Sequence, residues 1–303
     1  MTQARTVAVA LAVLAAVLFG LAAVGQHGAV RASTSGTGTR ATLDVSALRR
    51  LLRRPAWLLG ALQATVAGAS HLGALALAPI TLVQPIGVLA VPVTVLGSAL
   101  VARRLPRPSQ LVGAVLGVAG VAALTVLLLA SPSQLVVLPG WGPLLAVVVA
   151  AVAAGLLVLR RARAAGPLAR CLLLSVTAAV LFGLDSVLLR TAGHLVGSGQ
   201  ASSQLPLLAA TLAGIALALP VGSWAMQTGY TAGSPQVVIC TLTLVDPVTA
   251  VVGGHLLLHD GVALSGAHWV GVSLGVVLAA AGVVLLSREQ PAAVDPAAAP
   301  ASS

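Results

Sequence analysis

Two aspartates of this chain lie inside apolar segments, where an ionisable side chain is costly and is therefore a candidate for function. Asp246 stands about eleven residues into its segment, close to the middle of a membrane, and directly precedes Pro247. A proline removes one backbone donor from a helix, so the carbonyl group around Thr243 loses its helical partner. With the hydroxyl groups of Thr241, Thr243 and Thr249, these oxygens suit a proton, a metal ion or a cationic substrate. A purely structural Asp246, hydrogen-bonded to a neighbouring helix, is the alternative.

Three further polar residues are candidates for the same site. Asp185 stands five residues before Arg190, so an ion pair with that arginine and a role in substrate binding are both open. His71 is predicted to approach Gln84 across a helical hairpin, and a packed, hydrogen-bonded histidine is the alternative. Gln84 has the better claim, because it places an amide beside the helix break expected at Pro85.

The composition places these residues in a membrane protein. Of the 303 residues, 58% are hydrophobic and only 7% are charged, whereas soluble domains carry about 25% charged residues. The net charge of +10 comes from arginines between the apolar segments, so nucleic-acid binding is not indicated. Cys171 and Cys240 fall inside apolar segments and indicate neither a disulfide framework nor a metal site. The sequence contains no phosphate loop and no nucleophile–base arrangement, so we expect no enzyme activity and no cofactor.

Nine segments are long enough to cross about 30 Å of hydrocarbon, which takes about 20 apolar residues. They are residues 6–25, 56–78, 81–102, 110–130, 139–159, 169–189, 205–227, 236–258 and 267–286. Bends are expected at Pro85, Pro92 and Pro247. Trp224 and Tyr230, near the end of the seventh segment, are typical of interfacial anchors, and Gln227 is placed to line an inner gate.

The arginines sort to one side of this nine-segment arrangement. One side receives only Arg5 and Arg190. The other side receives fourteen, namely Arg31, Arg40, Arg49, Arg50, Arg53, Arg54, Arg103, Arg104, Arg107, Arg160, Arg161, Arg163, Arg170 and Arg288. The positive-inside rule then predicts an outside N-terminus and a cytoplasmic C-terminus. The chain has sixteen arginines and no lysine, a coding bias typical of a GC-rich bacterium. A bacterial plasma membrane is therefore the expected location.

Three sequence matches relate the two halves of the chain. AAVLFGL at 15–21 recurs at 178–184, Pro-Val-Thr at 92–94 recurs at 247–249, and the glycine-rich segment from Gly113 resembles that from Gly275. The matches keep their order, and the first also makes segment 6–25 a true helix rather than a signal peptide. They predict an all-α polytopic fold with two inverted-topology repeats of four helices each and one connecting helix.

The repeats divide the chain into four parts. The first repeat is 1–136 with a basic cytoplasmic loop at 31–54, the connecting helix is 137–164, the second repeat is 165–288, and a disordered cytoplasmic tail is expected at 289–303. Within the loop, Leu48–Leu52 is either plain linker or a short interfacial helix. Small-residue pairs such as Gly113 and Gly117 leave open whether they pack within one chain or between two copies in a homodimer.

The segment Ala78–Val91, APITLVQPIGVLAV, resembles the NIPA-type magnesium transporter branch of the drug/metabolite transporter superfamily. The run Gly25-Gln26-His27-Gly28 is similar to the same branch. The resemblance implies a multi-helix carrier of small solutes in the inner membrane. One departure stands out, because Arg103-Arg104 replace the acidic residue usual in the loop after the proline-bearing helix. In the second copy, His259-Asp260 stand near the corresponding place.

A secondary transporter of small solutes is the favoured hypothesis, with alternating access and with Asp246 as the proton-coupling or cation-binding group. Its partners would be the lipid bilayer and a small-molecule or cation substrate. The resemblance offers a magnesium or other divalent-cation transporter as the alternative, since Mg²⁺ often keeps its waters and needs few protein ligands. A membrane assembly or lipid-handling partner that transports nothing is the third hypothesis.

Overall fold

The computed structural model describes residues 2–34, 49–77, 86–129, 138–258 and 266–288. In that part of the chain the helices are α1 (Thr2–Thr34), α2 (Pro55–Leu77), α3 (Ala90–Val101), α4 (Pro108–Leu129), α5 (Trp141–Arg161), α6 (Pro167–Gly197), α7 (Leu205–Ala232), α8 (Pro235–Leu258) and α9 (Gly266–Arg288). Five of these, α1, α5, α6, α7 and α8, are long and apolar enough to cross a membrane. The predicted all-α, multi-pass membrane fold is therefore confirmed, while nine crossings and the inverted repeat stay predictions.

Prolines begin helices in this fold more often than they interrupt them. The first residues of α2, α4, α6 and α8 are Pro55, Pro108, Pro167 and Pro235. This position suits proline because the first turn of a helix does not need its backbone N–H. Pro92 lies in the first turn of α3, whereas α8 continues through Pro247. Pro85 lies outside the described residues.

Two helices end in the same left-handed turn. After α6, Gly199 has a φ of 71° and the N–H of Gln200 donates to the carbonyl group of Leu195 at 2.9 Å. After α3, Arg103 has a φ of 51° and the N–H of Arg104 donates to the carbonyl group of Ala99 at 3.1 Å. This closure normally uses glycine, which adopts the left-handed conformation without strain. The turn at Arg103 ends α3 abruptly and places both arginines in the connection to α4.

Helices α1 and α6 extend beyond the apolar segments that predicted them. α1 has 33 residues, which corresponds to about 50 Å at 1.5 Å per residue. It runs through the Gly25–Gly28 segment and continues into the stretch predicted as loop 31–54. α6 continues from the predicted end at 189 to Gly197. Polar residues at the ends of these helices are therefore still part of the helical framework.

The chain between α1 and α2 also contributes to the core. Residues 49–51 form a helical turn, and Leu51 is fully buried beside Val30 although arginines flank it. The same cluster contains Val91, Cys171 and Tyr230, so α1, α3, α6 and α7 share one apolar core. A second cluster joins α5, α6 and α7. The connecting helix α5 thus packs on the second half of the chain.

Helices α4 and α9 cross at glycines. A Cβ atom added at Gly282 would lie 2.6 Å from the carbonyl oxygen of Gly113 and 2.6 Å from the amide nitrogen of Gly117. One added at Gly120 would lie 2.6 Å from the carbonyl oxygen of Gly275. The two backbones are in direct contact, as small residues permit in membrane helices. Since 113 pairs with 282 and 120 with 275, the helices are antiparallel, and this glycine face packs within one chain.

Candidate functional site

Asp246 lies where α6 crosses α8, and Asp185 on α6 lies within range of its charge. A Cβ atom added at Gly183 would lie 2.6 Å from Cβ of Thr249 and 2.7 Å from the carbonyl oxygen of Asp246. Asp185 follows two residues later on α6, and its carboxyl group is close enough to that of Asp246 for their like charges to interact. The missing side chain at Gly183 therefore permits the close approach of α6 and α8 beside Asp246.

Asp185 is a buried acid whose carboxylate accepts no hydrogen bond from the described residues. Its side chain is 6% exposed, and neither carboxylate oxygen has a hydrogen-bond partner among the described residues. Positions five apart are about 140° apart around a helix, so Arg190 points away from Asp185 and is exposed. The carboxylate of Asp185 therefore makes no hydrogen bond to the arginine offered by the sequence as its structural partner.

Further oxygens lie beside Asp246 on α8. Thr243 and Thr249 stand three residues before and after it, which places all three on one side of the helix. The hydroxyl of Thr249 donates to the carbonyl group of Val245 at 2.9 Å, and that of Thr243 donates to the carbonyl group of Ile239 at 3.0 Å. These bonds use the hydroxyl hydrogens, so the oxygen lone pairs can still accept. Pro247 also leaves the Thr243 carbonyl group without its usual helical donor.

The remaining predicted residues are not placed at this crossing. His71 is half-buried on α2, which packs along α1, and no described contact connects it with either carboxyl group. Gln84, like Pro85, lies outside the described residues. Among the sequence candidates, Asp246, Thr243 and Thr249 therefore lie on one side of α8 at the crossing, and Asp185 is close enough for its charge to interact with that of Asp246.

The first half of the chain has a similar crossing without acids. A Cβ atom added at Gly20 of α1 would lie 2.7 Å from Cγ1 of Val93 and 2.9 Å from the carbonyl oxygen of Ala90 on α3. Gly20 and Gly183 occupy the same place in the repeated AAVLFGL segments. Ala22 corresponds to Asp185, and the counterpart of Asp246 is the buried Ala90 or Val91. Both carboxylates therefore belong to the second half.

A second polar group joins α1, α2 and α7 away from the carboxylates. The side-chain amide of Gln227 donates to Oε1 of Gln26 at 2.7 Å, and its own oxygen accepts from Nε1 of Trp57 at 3.2 Å. We call Gln26, Trp57 and Gln227 the amide clamp. One residue along α1, the ring of His27 contacts that of Tyr230 edge-on, with ring centres 5.8 Å apart. The sequence singled out both Gln26 and Gln227 but gave no signal that they meet, since 201 positions separate them.

The donor set at the α6–α8 crossing suits a cation that keeps part of its water shell. Within the described residues, no three His, Cys, Asp or Glu side chains are grouped to hold a metal ion. Two carboxylates with neighbouring hydroxyl and carbonyl oxygens are instead what hydrated Mg²⁺ uses, because it gives up its waters reluctantly. The arrangement can also take up protons on the carboxylates in place of a cation.

Comparison with known proteins gives one family match, in the first half of the chain. The sequence model of the family described as Magnesium transporter NIPA matches residues 3–139, somewhat less than half of the chain. This match confirms the predicted resemblance to the NIPA branch. With the apolar helices, it supports a multi-pass membrane transporter. The matched stretch covers α1 to α4, including Gln26 and Trp57 of the amide clamp, and ends before the helices that carry Asp185 and Asp246. No curated protein and no solved structure matches the chain.

Proposed function

We propose that this protein carries Mg²⁺ or a related divalent cation across the membrane, with Asp185 and Asp246 as its cation-binding carboxylates. The observation that carries the proposal is a pair of acids near one helix crossing, close enough for their charges to interact, with Asp185 buried and without a hydrogen-bond partner among the described residues. Intramembrane acids are rare and mark ion pathways. The NIPA match over α1 to α4 supports magnesium as the cation.

The chemistry of the crossing gives each residue a role. The two carboxylates neutralise the charge of a dication, and the oxygens of Thr243 and Thr249 accept hydrogen bonds from its bound waters. Without the cation, two like charges interact while one of the carboxyl groups is buried, which is unfavourable. Binding either a dication or protons relieves this repulsion. The site therefore favours exchange of a cation for protons, which would couple transport to a proton gradient.

Alternating access between two inverted repeats is the proposed mechanism. The same helix pairs are in contact in both halves, α1 with α2 and α3 in the first and α6 with α7 and α8 in the second. In the repeat alignment, Gly113 corresponds to Gly275 and Gly120 corresponds to Gly282. The contact between 113 and 282 is therefore the repeat equivalent of the contact between 120 and 275. An antiparallel, self-paired crossing of this kind supports a two-fold axis in the membrane plane, which exchanges inward and outward states.

A flux assay on the purified protein tests the proposed function. In proteoliposomes containing a magnesium-sensitive dye, Mg²⁺ should enter faster than into protein-free vesicles. A proton gradient directed out of the vesicles, with the inside acidic, should increase the rate of Mg²⁺ entry. Small organic cations serve as the competing substrate class, because the wider superfamily carries small solutes. Proton-driven uptake of an organic cation without Mg²⁺ entry would contradict magnesium as the substrate and identify a small organic solute in its place. Folded protein that is silent in both arms would contradict transport and favour the assembly or lipid-handling role.

The two ends of α6 provide a test of the proposed orientation. Ala164 is exposed before α6, near Arg161 and Arg163, and Gln200 is exposed after it. We expect Ala164→Cys to react with a membrane-impermeant maleimide from the cytoplasmic side and Gln200→Cys to react only from outside. The reason is that arginines are retained on the cytoplasmic side. Reaction of both cysteines from the same side would contradict a membrane-spanning α6. Reaction of Ala164→Cys only from outside and of Gln200→Cys only from the cytoplasmic side would show the opposite orientation.

A further inference from the structure

The amide clamp connects the two halves of the chain at one end of the helix bundle. Gln26 and Trp57 belong to the first predicted repeat and Gln227 to the second, so both hydrogen bonds cross between repeats. Gln26 and Gln227 are each 4% exposed. Because Gln227 uses both ends of its amide, its two bonds fix the positions of α1, α2 and α7 relative to one another.

Neighbouring contacts place the clamp on the arginine-rich side of the protein. Nη2 of Arg54 donates to the carbonyl oxygen of Ala32 at 3.0 Å, which ties the start of α2 to the end of α1. Nη2 of Arg170, at the start of α6, donates to the hydroxyl of Thr231 at 3.4 Å, near the end of α7. These helix ends form what we call the arginine-rich face, which is defined by Arg31, Arg54, Arg163 and Arg170.

The clamp and the two carboxylates lie at different depths. On α6, Asp185 is fifteen residues beyond Arg170, which corresponds to about 22 Å along the helix. On α8, Val238 lies at the level of the clamp, since its Cγ2 is 3.8 Å from the position of a Cβ added at Gly229. Asp246 follows eight residues later, about 12 Å further from the arginine-rich face. In depth along the helices, the clamp therefore lies between that face and the level of Asp246.

We propose that the amide clamp is the gate that closes the arginine-rich face to the cation site. The inference rests on the proposed transport function and adds the residues that must separate for a cation to leave toward that face. Two neutral hydrogen bonds suit this role, because each contributes only modestly to stability once competition with water is counted. Helix packing supports the closed state as well, since Gly60 of α2 allows close approach to Gln26.

Access to a reporter cysteine tests the gate without using transport. Thr243→Cys places a thiol on α8 between the clamp and Asp246, and a membrane-impermeant maleimide is added from either side. We expect Gln26→Leu and Gln227→Leu to raise the labelling rate from the arginine-rich face about tenfold, the shift expected when neutral hydrogen bonds of the closed state are lost. The same variants without the reporter give the background from Cys171 and Cys240, which are buried.

Two more variants make the result specific. Gln63→Leu is the matched control, because Gln63 is half-buried on the same helix as Trp57 and is not part of the clamp, and it should leave the rate unchanged. Trp57→Phe keeps the aromatic packing and removes only the donor, so a smaller increase is expected even if a glutamine variant folds poorly. Rates equal to that of the control, or equal increases from both faces, would overturn the gate. Absence of Mg²⁺ flux in the parent protein, together with the expected labelling pattern, would instead contradict the proposed substrate and leave the gate in place.

Discussion

Replacing Asp246 by asparagine is expected to lower the rate of Mg²⁺ uptake in proteoliposomes by on the order of 100-fold, since even residues that only support a metal ligand contribute 10–100-fold. The substitution keeps the size of the side chain and removes the negative charge. Asp185 would then face the cation alone, with half of the neutralising charge. Because an amide is easier to bury than a carboxylate, the thermal stability of Asp246→Asn should be equal to or higher than that of the parent.

Asp185→Asn and Asp295→Asn complete this comparison. The first should lose uptake to a similar extent, and the double variant should lose little more, because two ligands of one site do not contribute independently. Asp295 follows the last residue of α9 by seven positions in the sequence and is not one of the proposed ligands, so the same chemical change there should leave uptake unchanged. An Asp246→Asn protein that is stable and transports like the parent would contradict the site and return Asp246 to a structural role.

Much of the helical framework could be predicted because membrane segments are long and their limits are local. The segment predicted at 236–258 corresponds to α8 (Pro235–Leu258), since a proline and a run of apolar residues define it. Asp246 could be predicted as a candidate from its position in that segment. Its pairing with Asp185 could not, because the crossing of α6 and α8 depends on a missing side chain at Gly183, one of 32 glycines in the chain.

The extended end of α1 shows where local patterns fail. Gln26 and His27 are polar, so a hydropathy criterion ends the segment at residue 25, whereas the helix continues to Thr34. The amide of Gln26 is satisfied by Gln227 on a helix from the other half of the chain. Most buried polar side chains have such a partner. No local spacing in the sequence identifies a partner 201 positions away, so tertiary packing decides both the helix end and the clamp.

Adding one methyl group at Gly183 is expected to destabilise the protein and to abolish uptake. In Gly183→Ala the new Cβ atom would meet Cβ of Thr249 at 2.6 Å and the carbonyl oxygen of Asp246 at 2.7 Å. Overpacking typically costs about 1–3 kcal/mol, and the better helix propensity of alanine offsets up to about 1 kcal/mol of this. We therefore expect the free energy of unfolding to fall by about 1–2 kcal/mol, measured by thermal or denaturant unfolding in detergent.

Gly193→Ala is the matched control for this substitution, because Gly193 lies on the same helix and an added Cβ atom there has no neighbour within 4 Å. With no clash, only the gain in helix propensity remains, so its free energy of unfolding should rise by up to about 1 kcal/mol. Opposite signs in two chemically identical changes on one helix would locate the effect at the α6–α8 crossing. Uptake should be lost only in Gly183→Ala, since separating α6 from α8 moves Asp185 away from Asp246. Equal stability and equal uptake in the two variants would show that close contact at Gly183 does not position the carboxylates.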